Sequence, residues 1–178
     1  IISFGLLGGE RRLATAAPQP QVPPVPGAPA NLLSSWLAVA DDNTVTVFVG
    51  NVELGTGVET ALAQIAAEEL DVAMAQVTVV QGDSARTVNV GPTVGSLTIA
   101  RNGSRLRQAA AEGRAILLRL AAERLGAPVE QLRVRDGVVE VAGDPARRVT
   151  YGELVAGREL AVTLTGEATP KDPAAYHV

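Results

Sequence analysis

Apolar positions recur along this chain with two different periods, and the switches between them mark its elements. Residues 36–49 hold two short apolar runs around the turn cluster Asp41-Asp42-Asn43, and residues 44–49 alternate threonine with valine before Phe48 and Val49. This pattern predicts two strands joined by a tight turn. From Val58 the period lengthens. Val58, Leu62, Ile65, Ala66 and Leu70 share one face of a helix, with Glu59 and Glu68 off that face. Residues 76–81 return to strand character. Residues 82–96 have few helix formers and read as a long loop, which in a compact domain is either functional or disordered. The longest helical pattern runs from Ser104 to Leu125, with Leu106, Ala110, Gly113, Leu117, Leu120 and Ala121 as its buried stripe. Gly126 suits its C′ position, and Pro128 follows. Residues 133–141 read as a hairpin turning at Asp136-Gly137. Thr150 and Glu153 form a capping box for a short helix, and residues 160–165 read as a last strand.

These elements predict an α+β fold, a mixed sheet packed by two main helices, over residues 32–168. Residues 18–31 hold most of the prolines and read as an extended linker or arm. Residues 169–178, with Pro170 and Pro173, read as a linker leading onward. Residues 1–17 open with an apolar run too short to span a bilayer. That run fits either the remnant of an export signal or a buried N-terminal segment. The chain also repeats itself weakly. Ala66-Ala67-Glu68-Glu69-Leu70 matches Ala121-Ala122-Glu123-Arg124-Leu125, and Gln76 and Val79 match Gln131 and Val134 at the same offset. One helix–turn–strand unit is used twice.

Composition narrows the chemistry. The 178 residues are 47% hydrophobic but only 3% aromatic, so the core is aliphatic. A formal net charge of -4, without a basic run, argues against a nucleic-acid partner. There is no cysteine, and the one histidine is His177. Thiolate-held metals and clusters are therefore excluded within this chain, and Ser96 has no histidine base beside it to make it a nucleophile.

The candidate chemistry lies between residues 50 and 98. Gly55-Thr56-Gly57 opens into the first helix, where free N–H groups and the positive end of the helix dipole suit an anion such as phosphate. Thr93-Val94-Gly95-Ser96, with Thr98 beyond, adds hydroxyls and small side chains. The same spacing also fits a plain strand-to-helix turn. Arg101, Arg105 and Arg107 fit either an anion clamp or a solvated face, and Glu68-Glu69-Asp71 reads as a solvated helix end.

Taken together, Val52-Glu-Leu-Gly-Thr-Gly-Val-Glu-Thr-Ala-Leu-Ala-Gln64, Ala67-Glu-Glu-Leu70, Gln81-Gly-Asp83 and Thr93-Val-Gly-Ser96 resemble the molybdopterin-binding (large, or β) subunit of the xanthine dehydrogenase and aldehyde oxidase family. The branch they resemble most is that of isoquinoline 1-oxidoreductase. The resemblance implies a component of a molybdenum hydroxylase, which oxidises an aldehyde or N-heterocycle with water as the oxygen source. It implies molybdopterin cytosine dinucleotide as the molybdenum cofactor, bound through Gly55, Thr56, Gly57, Thr93, Val94, Gly95, Ser96 and Thr98. It implies iron–sulfur clusters on a partner chain. The implied partners are the remaining portion of the molybdopterin subunit, a 2Fe–2S subunit and, in some members, a cytochrome c subunit. Residues 1–9 resemble the end of a twin-arginine export signal, which implies the periplasm or the periplasmic face of the inner membrane, with the cytoplasm as the alternative. Thr56 stands where the family has glutamine and lacks an amide's paired donor and acceptor. Glu153 and Glu167 follow glycines, as the family's catalytic glutamate does, but lack its surrounding sequence, so no catalytic residue is carried over. A non-catalytic structural or assembly module of the same complex is the alternative function.

Overall fold

Val45–Val49 forms strand β2, and all five of its residues are buried, which is why its sequence is almost continuously β-branched or aromatic. Leu37–Val39 (β1) pairs with it antiparallel, and Val77–Gln81 (β3) pairs with it parallel, from Val45 opposite Val77 to Val49 opposite Gln81. The crossover from β2 to β3 is helix α1, Val58–Leu70. This computed structural model describes residues 29–156 and 162–177. The export-signal remnant and most of the proline-rich arm lie outside them, as do the first two residues of the expected last strand.

A second sheet follows helix α2, Ser104–Leu125. It is an antiparallel meander of β4 (Leu132–Arg135), β5 (Val138–Val141) and β6 (Asp144–Thr150), leading into the short helix α3 (Tyr151–Val155). Asp136 and Gly137 both have positive φ, 50° and 72°, as a two-residue hairpin turn requires. Glu153 caps α3 as its sequence predicts, accepting the Thr150 N–H at 2.7 Å. β6 was not expected. Its outward residues include Asp144, Pro145, Arg147 and Arg148, and the only residue it buries is Val149.

The two helices pack on each other and share one aliphatic core with both sheets. Leu62, Ala66 and Leu70 from α1 meet Leu106, Ala110, Leu117 and Ala121 from α2, and Trp36 and Tyr151 are the largest buried side chains. The internal repeat is real in three dimensions. Each helix ends in a left-handed residue, Asp71 or Gly126, then passes through one 3₁₀ turn into a strand.

The end of α1 corrects one expectation. Glu69 is 1% exposed, and Glu68 is buried too. The Glu69 carboxylate accepts Arg107 Nε at 2.8 Å, the Tyr176 hydroxyl at 2.6 Å and the Lys171 N–H at 3.0 Å. Asp71 pairs with Arg114 Nε at 2.6 Å and with Lys171 Nζ. Further along, Glu112 on α2 accepts the N–H groups of Thr165 (2.8 Å) and Gly166 (2.6 Å). Residues 165–177, which include the described part of the segment read as an onward linker, are thus strapped over α1 and α2, with Glu68, Glu69 and Glu112 as the buried carboxylates. Upstream of the strap, Leu164 N–H donates to the Asn31 carbonyl at 2.7 Å, and Thr163 bridges Leu32, so the described part of the last strand pairs with the chain's entry.

Candidate functional site

The first loop is organised by a carboxylate. Between β2 and α1 the chain must reverse, and Gly55 (φ 80°) and Gly57 (φ 75°) take the left-handed conformation that makes this possible. The reversal brings Glu53 to the first turn of α1. Its Oε1 accepts the N–H of Thr56 at 2.5 Å and of Gly57 at 3.2 Å, and its Oε2 accepts the Glu59 N–H at 3.1 Å. The Thr56 hydroxyl adds a bond at 3.3 Å. The N-cap residue of α1 is Gly57, which has no side chain to cap with, so Glu53 instead takes up the Glu59 N–H of the first turn together with the Thr56 and Gly57 N–H groups just before it. These donors, Glu59 N–H first and Thr56 N–H second, hold the Glu53 carboxyl down at about 2. Of the amides at Gly55-Thr56-Gly57, those of Thr56 and Gly57 are thus already bonded to an anion belonging to this chain.

The second loop is tied to the first through buried amides. Where the two cross, a Cβ on Gly50 would overlap the Val88 carbonyl oxygen, and Val88 and Val90 are buried beneath the crossing. The Thr93 hydroxyl oxygen accepts the Val52 N–H at 3.0 Å and Asn51 Nδ2 at 3.4 Å. Asn102 Nδ2 donates to Asn51 Oδ1 at 2.7 Å, and these two side chains are only 2% and 1% exposed. Thr93 is therefore a post that joins the loops.

Beyond Thr93 the geometry opens. Gly95 (φ 62°) and Ser96 (φ 56°) are consecutive left-handed residues, and a π-helical turn, Thr98–Gly103, then runs straight into α2. No side chain caps this start at Leu97. Left-handed residues at a helix start turn successive N–H groups toward one concavity, where the helix dipole favours negative charge. π-turns are frequent at functional sites. Val94, Gly95 and Ser96 are exposed, whereas Thr98 is buried. Arg101 and Arg105 are exposed nearby, and Arg107 is drawn away to Glu69. Of the two loops, the one at residues 93–98 is the one whose helix start has no carboxylate of this chain's described residues bonded to it.

Asn51, Glu53 and Asn102 were not singled out by sequence. Only Glu53 carries a readable signal, a carboxylate just ahead of a Gly-x-Gly turn whose N-cap has no side chain. Asn51 and Asn102 meet across 51 positions of chain, and nothing local marks that contact. No group of three or more His, Cys, Asp or Glu side chains that would hold a metal ion occurs among the described residues.

Residues 18–176 match the family model of the molybdopterin cofactor-binding domain. The chain belongs to that family. Within it, the domain is 44% identical over 139 residues to a subunit of nicotinate dehydrogenase from Pseudomonas putida, covering 78% of this chain and 12% of that protein. It is 36% identical over 132 residues to the beta subunit of isoquinoline 1-oxidoreductase from Brevundimonas diminuta, covering 70% of this chain and 17% of that protein. Among solved structures it resembles quinoline 2-oxidoreductase from Pseudomonas putida 86, with a TM-score of 0.57 and 31% identity over 67% of this chain and 15% of that one. The chain thus spans less than a fifth of the length of the curated relatives named here. The match agrees with the family resemblance read from the loop motifs, and the α+β architecture with that of the solved neighbour.

Proposed function

We propose that this domain is the part of a molybdenum hydroxylase subunit that holds the phosphate-bearing portion of molybdopterin cytosine dinucleotide, in an enzyme that oxidises an aldehyde or N-heterocycle. The observation that carries the reading is the uncapped helix start at residues 93–98, left-handed at Gly95 and Ser96, in a chain of the molybdopterin cofactor-binding family. When bound, the cofactor supplies the redox-active molybdenum that takes electrons from the substrate. This chain's own residues do three things. The amides and hydroxyls near Ser96 bind and orient an anion, Thr93 with Asn51 and Asn102 fixes the loop that carries them, and Glu53 holds the neighbouring loop in register. Contact with the cofactor would come from Gly55 and from whatever faces the Glu53 bonds of Thr56 and Gly57 leave open. The catalytic base and the substrate pocket belong to the remaining portion of the subunit, and electrons leave through a 2Fe–2S subunit, with a cytochrome c subunit as a further acceptor. The resemblance of residues 1–9 to an export signal favours a periplasmic enzyme, and cell fractionation tests that.

The experiment is metal and nucleotide analysis of the purified complete complex. Molybdenum together with cytidine monophosphate released by acid supports the reading, and a complex with neither refutes it. A second reading, a non-catalytic assembly module, is favoured by one observation: the first loop's helix start is occupied by Glu53. A complex that contains molybdenum but keeps it when residues 93–98 are altered would favour this alternative.

A further inference from the structure

Among the described residues, one buried side-chain nitrogen or oxygen lacks a hydrogen-bond partner, and it is Nε2 of Gln81. An amide N–H shut away from water without an acceptor costs free energy, and a leucine in the same place would not. Such a group calls for an acceptor that this chain alone does not supply.

Its position says what kind of acceptor. Gln81 is the last residue of β3 and pairs in register with Val49, the last residue of β2. These two strands are parallel, and the crevice beyond the carboxyl ends of parallel strands is where α/β sheets bind ligands. Both candidate loops leave from there, residues 50–57 after β2 and residues 82–96 after β3. Alternation along β3 sets Gln81 on the face of Val77 and Val79, which pack against the core. One residue on, a Cβ on Gly82 would overlap Val52 Cγ1, so β3 ends against the first loop. Gly82 is exposed, and Gln81 is half-buried at the edge of the core. Other polar side chains at this end are already bonded within the chain. Asn51 Nδ2 donates to Thr93, Asn102 Nδ2 donates to Asn51, and the Thr56 hydroxyl is bonded to Glu53. The Gln81 carboxamide keeps an unused donor, and turning about its last side-chain bond swings Nε2 without moving the backbone.

We propose that Gln81 is a further cofactor-binding residue, whose Nε2 donates to an oxygen of the phosphate-bearing portion of the cofactor beyond the ends of β2 and β3. This rests on the functional reading above for the identity of the ligand. A neutral amide suits the task. Its N–H on a phosphate oxygen makes a charge-assisted bond, yet it leaves no buried charge when no cofactor is bound. The donor is orphaned only in the cofactor-free protein, so removing it acts differently on the cofactor-free and the loaded forms.

The test uses the complete complex as wild type, Gln81→Leu and Gln81→Glu, each grown with and without molybdenum. Thermal midpoints are read on the molybdenum-free preparations. On the loaded ones, the molybdenum and the acid-releasable cytidine monophosphate that stay bound are followed over time. Gln81→Leu is expected to leave the molybdenum-free midpoint unchanged or raised, and to speed cofactor loss about tenfold, as removal of one charge-assisted bond does. Gln81→Glu is expected to speed it further, because its carboxylate repels phosphate. A Gln81→Leu complex that holds the cofactor as long as wild type overturns the proposal. So does one whose molybdenum-free midpoint falls, because the amide would then be paired with protein. A wild-type complex with neither molybdenum nor nucleotide overturns the functional reading as well, whereas a loaded wild type beside an unaffected Gln81→Leu overturns this proposal alone.

Discussion

Asn102 Nδ2 lies 2.7 Å from Asn51 Oδ1, a buried hydrogen bond between the π-turn leading into α2 and the second residue past β2. Through Asn51 the link continues to Thr93, so one side-chain chain fixes both loops to the start of the second helix. Asn102→Leu leaves Asn51 Oδ1 without its donor in a buried setting. We expect a loss of about 2 kcal/mol of unfolding free energy in urea titration. Asn51→Ala should cost a similar amount, and the double variant less than the sum of the two, as members of one network do.

Glu53 sets a pH dependence whose sign follows from its surroundings. Its folded pKa, about 2, lies below the ordinary 4.5 because backbone N–H groups stabilise the carboxylate. Its contribution to stability is therefore complete above about 4.5 and is lost as pH falls through about 2. Glu53→Gln should lower the thermal midpoint at neutral pH. The gap between variant and wild type should shrink as pH falls from 4.5 toward 2. Parallel melting series across that range check it. A gap that stays constant would mean the carboxylate's charge has no part in holding the loop.

Gly50 lies where the two loops cross. A Cβ there meets the Val88 carbonyl oxygen and comes within 3.2 Å of Val90 Cγ2, and backbone cannot step aside as a flexible side chain can. Gly50→Ala should destabilise by about 2–3 kcal/mol through overpacking, measured by urea unfolding. By contrast Gly143→Ala meets no atom within 4 Å, and its cost should come only from its positive φ.

Much of this fold is written locally. The period of α1, the glycine closing α2, the Asp136-Gly137 turn and the Thr150–Glu153 box are all signals within a few residues of what they specify. The contacts that make the site are not local. Glu68 and Glu69 look like a solvated helix end because their partners Arg107, Lys171, Tyr176 and His177 lie 38 to 109 positions away. β6 escapes a period-two reading because its exposed arginines and proline leave one buried residue to mark it. The loop motifs were legible as a family resemblance, but which loop keeps its helix start open depends on where the Glu53 side chain goes, and spacing cannot say that.

The strap over the helices gives a further test. Arg107 is the charged partner of Glu69, whose side chain is 1% exposed while that of Arg107 is 29% exposed. Arg107→Met removes the pair and leaves a buried carboxylate. Discounted for the solvent that reaches the arginine, the expected cost is about 2 kcal/mol. Amide hydrogen exchange in residues 165–177 should rise well before exchange in α1 and β2 does. Uniform acceleration across the domain would mean that the strap is part of the core's single cooperative unit.

The most direct test is the position of the cofactor in a structure of the complete complex. Phosphate oxygens within hydrogen-bonding distance of the backbone at residues 95–98, with the Glu53 carboxylate still on the amides of Thr56, Gly57 and Glu59, are what this geometry predicts. A cofactor that displaces Glu53 to sit on the start of α1, or one found away from both loops, would contradict it.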